Sequence, residues 1–297
     1  MNTAKKANLF KNDTARTELQ NWYGRFLEKS HTPVIRKHVS TSCGPNHVLF
    51  AGDESKPPLV ILHAMMSSSA HALSVLWRLA KDFYIIAPDI PGQSIIGPEV
   101  RLPFDEYGSW LNEIMEELKV NPFYIMGISW GGFVSLKYTL EYPDKVTKMA
   151  LLVPAGIVRG KVAIGLLKMA IPAITYKMKP TEERLKRLIE PIMTTFDDDW
   201  SNFMGDMFLK FNPDMRIPPL LSDAELGSIR TPALVIGADM DISFPGNALV
   251  ERVKKEMPFV ETELLKNSRH CPPLDEEFTN WLAQRSSNFF LAGYHEN

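Results

Sequence analysis

Apolar residues along the chain fall into short unbroken runs, each followed by a segment in which they recur every three or four residues. Pro58–His63 (PLVILH), Phe83–Ala87 (FYIIA), Phe123–Met126 (FYIM) and Met149–Val153 (MALLV) are the runs, and the stretches 70–80, 104–118 and 130–141 carry the helical spacing. Runs of this length suit strands buried on both faces. Their alternation with helices predicts an α/β protein with a mostly parallel central sheet flanked by helices. Upstream, Asn12-Asp13-Thr14 predicts a helix start, and Leu19, Trp22, Phe26 and Leu27 carry that helix toward Lys29. Two strands are expected around Val34–Thr41 and Val48–Ala51, with Gly44-Pro45-Asn46 as the turn between them.

The alternation stops at Ile157 and does not resume until Thr231–Gly237, a strand, followed by another near Val260–Leu265 and a last helix over residues 275–287. The intervening stretch offers helical segments only, at residues 162–174 and 182–193. The expected organisation is a helical preface (1–33), a sheet core in two pieces (34–156 and 217–297) and a helical insertion (157–216).

Composition narrows the picture. The 297 residues are 45% hydrophobic and 23% charged, which excludes a disordered chain. Lys and Arg number 33 against 35 Asp and Glu, a net charge of −2. That balance argues against nucleic acid or an anionic membrane as the main partner. No apolar run reaches ~18 residues and the first twenty lack a secretory core, so a cytoplasmic protein without membrane insertion is expected. Two distant cysteines, Cys43 and Cys271, make no disulfide framework, and no histidine spacing suggests a metal site. No cofactor is expected. The composition leaves a homo-oligomer open.

The sharpest local feature is Gly127-Ile128-Ser129-Trp130-Gly131, a G-x-S-x-G between an apolar run and a helical segment. Composition alone places such a pattern in about one chain in ten to twenty, so its position carries the weight. A serine projected from a sharp strand-to-helix turn needs small residues two before and two after it. The turn also places the hydroxyl beside a helix N-terminus, whose amides suit a developing oxyanion. A serine needs a base, and of seven histidines only His270, in the loop NSRHCPP, lies between the resumed sheet and the last helix.

With these residues in this order the chain resembles the α/β-hydrolase superfamily, in which serine, acid and histidine follow one another along the sequence. Pro232–Pro245 (PALVIGADMDISFP) is similar to the acid loop of that family. Two carboxylates there, Asp239 and Asp241, are candidates for the acid. The resemblance implies Asp241, by its spacing to Pro245, with Asp239 as an upstream carboxylate; Asp239 as the acid is the alternative. The resemblance also implies oxyanion amides at Met65 and Trp130, with His63 bracing the loop that carries Met65. Asp89-Ile90-Pro91-Gly92 resembles a D-x-x-G turn of the family, although Gln93 and Ser94 depart from it. Residues 157–216 then correspond to a cap.

Within the superfamily the layout resembles capped Bacillus carboxylesterases of the naproxen-esterase type. That likeness implies a serine hydrolase cleaving small-molecule esters with apolar or aromatic acyl groups. The same three residues also serve carbon–carbon bond and amide hydrolases, and a non-catalytic ligand receptor of this fold is a further alternative. Met169, Met178, Met193, Met204 and Met207 suit either an adaptable apolar pocket or plain helix packing.

Overall fold

The computed structural model describes residues 5–293. Along the chain run β1 (Lys5–Lys6), α1 (Asp13–Glu28), β2 (Val34–Thr41), β3 (Gly44–Ala51), β4 (Pro58–Leu62), α2 (Ser69–Leu76), β5 (Tyr84–Pro88), β6 (Val100–Arg101), α3 (Tyr107–Leu118), β7 (Phe123–Ile128), α4 (Trp130–Glu141) and β8 (Val146–Leu152). Then come α5 (Val162–Gly165), a π turn (Leu166–Ala170), α6 (Ile171–Met178), α7 (Glu182–Ile189), α8 (Asp198–Lys210), α9 (Asp223–Ser228), β9 (Ala233–Ala238), α10 (Gly246–Glu256), β10 (Val260–Leu265) and α11 (Glu276–Leu291).

Eight strands form one sheet in the order β10-β9-β8-β7-β4-β5-β3-β2. β3 runs antiparallel to both its neighbours, β2 and β5, and every other pairing in this sheet is parallel. The period of two along each strand divides the side chains between two cores. Leu59, Ile61, Tyr124, Met126, Leu234 and Ile236 join Leu73, Leu76 and Phe290 on one face. Val60, Leu62, Phe123, Ile125, Ala233 and Val235 join Trp110, Phe133 and Leu249 on the other. Burial on both faces explains why the central strands read as unbroken apolar runs. The edge strands differ: β2 exposes Arg36 and Lys37, and β10 carries Glu261 and Glu263, charges that discourage further strand pairing.

Most expected elements form close to their positions. The side chains of Asn12, Asp197 and Asp275 accept the backbone N–H groups of Ala15, Trp200 and Phe278, and so cap α1, α8 and α11. Two expectations fail. The β2–β3 turn is Ser42-Cys43, whereas Gly44, Pro45 and Asn46 lie within β3, paired with Thr41, Ser40 and Val39. Asn46 is drawn into the strand because its buried amide donates to the Asp89 carbonyl and accepts from the Trp110 indole. The second helix of the insertion stops at Ile189, ahead of Pro191, instead of reaching Met193. Of the insertion's methionines, Met193, Met204 and Met207 are buried in the core, and Met178 is exposed. Cys43 and Cys271 are both free thiols.

Candidate active site

Ser129 stands between β7 and α4 with φ +50° and ψ −108°, a conformation that costs about 1–3 kcal/mol and persists only when its surroundings enforce it. They do so here through the backbone. The Ser129 N–H donates to the Leu152 carbonyl at 2.9 Å, and its own carbonyl accepts from Gly132, Phe133 and Ala155. The two glycines of the motif have separate reasons. A Cβ at Gly127 would collide with the Ser135 hydroxyl and the Gly131 carbonyl. A Cβ at Gly131 would collide with the Leu62 carbonyl oxygen and lie 2.8 Å from that of His63. Gly131 therefore lets the start of α4 press against the backbone that leaves β4.

His270 lies in the loop between β10 and α11. Its Nε2 is 3.0 Å from the Ser129 Oγ, and its Nδ1 is 2.7 Å from an Asp241 carboxylate oxygen. Asp241 follows β9, and its other oxygen accepts the N–H groups of Ser243 and Phe244 at 2.7 and 3.0 Å. Burial works against protonation of His270. The charge of Asp241 and its hydrogen bond outweigh that, and the imidazole is raised above its ordinary pKa of 6.5. Asp239 does something different. Its carboxylate accepts the Ser268 N–H at 3.2 Å, and the Met240 N–H donates to the Ser268 carbonyl at 2.9 Å. The structure thus brings Ser129, His270 and Asp241 into one line and uses Asp239 to hold the loop two residues before His270.

One participant was not visible in the sequence. The Thr194 hydroxyl accepts the Arg269 N–H and donates to the Cys271 carbonyl, both at 2.8 Å, so it spans the backbone on either side of His270. The Thr194 N–H reaches the same Cys271 carbonyl at 3.0 Å, and the Cys271 N–H donates to Ile192 at 2.7 Å. The Arg269 guanidinium adds bonds to the carbonyls of Glu190 and Met193. The insertion therefore grips the His270 loop directly. Pro191 was the available signal, since a proline there ends a helix and frees the next residues to pair.

On the opposite side, His63 is fully buried. Its Nδ1 lies 2.7 Å from the Ala64 carbonyl, and its Nε2 accepts the Ile90 N–H at 2.9 Å. The second bond requires a bare Nε2, so His63 is the neutral Nδ1–H tautomer, and burial holds its pKa below the ordinary value. This fixes the loop carrying Met65. Trp130 is the first residue of α4, where an amide has no partner within the helix. Among the described residues no backbone carbonyl outside the regular elements accepts from the Met65 N–H.

Beneath this loop a buried carboxylate ties four elements together. Asp89 accepts from the Ser69 N–H at 2.9 Å and hydroxyl at 2.7 Å, and from the Ser94 hydroxyl, the His47 Nδ1 and the Tyr23 hydroxyl. Burial disfavours its charge, yet these hydrogen-bond donors, the His47 imidazole first among them, hold the carboxyl below its usual range. Ser94, which stands where the D-x-x-G pattern departs from the family, supplies one of those donors. Tyr23 brings the N-terminal helix α1 into the network.

An eight-stranded, mostly parallel sheet with one antiparallel strand and a serine on a strained turn after its middle strand defines the class: the chain has the α/β-hydrolase fold. The family model described as alpha/beta hydrolase fold matches residues 57–191. Over 272 residues the chain is 25% identical to the uncharacterized carboxylesterase nap of Bacillus subtilis strain 168, covering 86% of each protein. It is 22% identical to carboxylesterase YbfK of the same organism, covering 86% of this chain and 88% of that one. The crystal structure of naproxen esterase from Bacillus subtilis superimposes with a TM-score of 0.79 at 20% identity, covering 92% of this chain and 97% of the other.

Proposed function

We propose that the protein hydrolyses carboxylic esters with apolar or aromatic acyl groups through an acyl-enzyme on Ser129. The observation that carries this reading is the unbroken hydrogen-bond line from Ser129 through His270 to Asp241. The named carboxylesterases among its relatives support the choice of bond.

In the first half-reaction the His270 Nε2 takes the Ser129 proton as Oγ attacks the ester carbonyl. Asp241 holds the ring in the tautomer that leaves Nε2 bare, and it stabilises the imidazolium that forms. The Met65 and Trp130 N–H groups donate to the oxyanion. His270 then protonates the departing alcohol. In the second half-reaction His270 deprotonates water, which attacks the acyl group and returns Ser129 to its hydroxyl form with release of the acid. The strain at Ser129 aims Oγ before substrate arrives, so no reorganisation is needed at the moment of attack.

Hydrolysis of p-nitrophenyl butyrate tests the proposal. The wild type should release p-nitrophenol steadily, and Ser129→Ala should lower kcat by about 10⁴–10⁶-fold with an unchanged circular dichroism spectrum. Near-wild-type turnover in that variant removes Ser129 from the reaction.

A further inference from the structure

The helical stretch from α5 to α6 is apolar on both sides, and only one side is packed. Tyr176 is buried against the Gly205 region of α8 and Leu185 of α7, with Met169 and Ala173 beside it. The other side presents Val162, Ile164, Leu166, Leu167, Ile171, Ile174 and Met178 to solvent, an apolar face that runs from α5 through the π turn to the end of α6. Leu167 is 63% exposed, Ile174 59% and Met178 78%. A contiguous apolar face of this kind marks an interaction surface.

Charge identifies what covers it. From Ile157 to Thr181 the chain carries Arg159, Lys161, Lys168, Lys177 and Lys179 and no acidic residue. The four lysines are exposed, and among the described residues none of them makes an ion pair. The chain's net charge of −2 averages over this segregated cluster, so the overall balance says little about this face. Lys168 and Lys177 lie exposed on the helix itself, and Lys161 and Lys179 flank its two ends. Pairing with a second copy would bring together two cationic helices, with no carboxylate on either to relieve the charge. An aliphatic face accompanied by lysines suits a different surface, the interface of a bilayer with anionic headgroups.

We propose that residues 162–178 form a docking helix that lays the face bearing Ile164, Leu167, Ile171, Ile174 and Met178 into an anionic lipid surface, with Lys168 and Lys177 on the headgroups. The helix emerges next to the candidate site. The Gly160 N–H donates to the Ser243 carbonyl at 2.7 Å, two residues beyond Asp241. Docking would hold the edge of the sheet that bears Ser129 near the bilayer, where apolar esters concentrate. Binding itself does not depend on the chemistry proposed for Ser129.

Sedimentation with large unilamellar vesicles tests this without an activity readout. The full chain should pellet with phosphatidylcholine–phosphatidylglycerol vesicles at low salt, far less with phosphatidylcholine alone, and progressively less as salt is raised. The double variant Leu167→Glu/Ile174→Glu should lose binding. Lys168→Gln/Lys177→Gln should weaken it by about 25-fold, at about fivefold per lysine. Thermal unfolding should stay near wild type in both, since every substituted side chain is solvent-facing. Absence of pelleting, equal pelleting with neutral vesicles, or unchanged binding by the variants would overturn the proposal. So would a wild-type dimer in analytical ultracentrifugation that Leu167→Glu dissolves, because the occupant would then be a second copy.

Discussion

The loops around Ser129 and the helix at residues 162–178 belong to one chain and are built on opposite terms. The backbone that holds Ser129, Asp241 and His270 is tied from several sides: three N–H groups converge on the Ser129 carbonyl, two amides hold Asp241, and Thr194 clasps the backbone on both sides of His270. The strain at Ser129 survives because it is enforced from several directions. Along the helix, aliphatic side chains that would ordinarily be buried have no protein neighbour on their outer side. Dense bonding of the supporting backbone characterises a site that must be rigid before its ligand arrives. An unsatisfied face characterises a surface completed by something outside the chain.

The first way to probe that contrast is through the two carboxylates of the acid loop. Asp241→Asn should lower kcat by about 10³–10⁴-fold, because it removes the group that orients His270 and stabilises its charge. Asp239→Asn keeps an oxygen able to accept from Ser268 and should cost about tenfold at most. Initial rates on p-nitrophenyl butyrate compare them, and equal losses would mean that the difference in their partners does not matter to the reaction.

Thr194 gives a smaller effect. Thr194→Val keeps the shape and the backbone N–H but leaves the Arg269 amide without its acceptor. A fall in kcat of about tenfold with little change in KM is expected, since slight misplacement of a general base is costly. Thr194→Ser should restore the rate. The pH profile supplies a readout that simple destabilisation would not move. Only neutral His270 accepts a proton, so wild-type kcat/KM should be lost as pH falls through the His270 ionisation, which Asp241 holds above 6.5. A loosened His270 in the valine variant should shift that midpoint. An unshifted midpoint with normal kcat would leave Thr194 a purely structural residue.

The smallest expected effect lies on the open face. Leu167→Glu should change unfolding free energy by less than about 0.5 kcal/mol, the ordinary range for a surface site, despite placing a charge where leucine stood. Urea unfolding measures it. A loss of several kcal/mol would mean that this face is packed in solution.

These two regions also separate what the sequence reveals from what it hides. Ser129, its glycines and the alternating runs are legible because they are local: a strained turn dictates its flanking residues, and strands buried on both faces must be apolar throughout. His270 stands out by its place between the resumed sheet and the last helix, whereas Asp241 is preferred to Asp239 only through the family resemblance and its spacing to Pro245. Thr194 was not legible, because its partners lie 75 and 77 residues away and a threonine after a helix is unremarkable. The same holds for Tyr23, whose hydroxyl reaches Asp89 across 66 residues. Asn46 looked like a turn residue until tertiary partners drew it into β3. The apolar face on residues 162–178 was hidden for another reason. Apolar spacing shows that a helix has an apolar face but does not say whether protein covers it.

The most direct test of the central claim is mass spectrometry of the protein after exposure to a serine-directed fluorophosphonate. One adduct per chain should form, located on Ser129 by peptide mapping, and it should be absent from Ser129→Ala and formed far more slowly in His270→Ala. A protein that still cleaves p-nitrophenyl butyrate while carrying its label elsewhere, or carrying none, would contradict the assignment of the nucleophile.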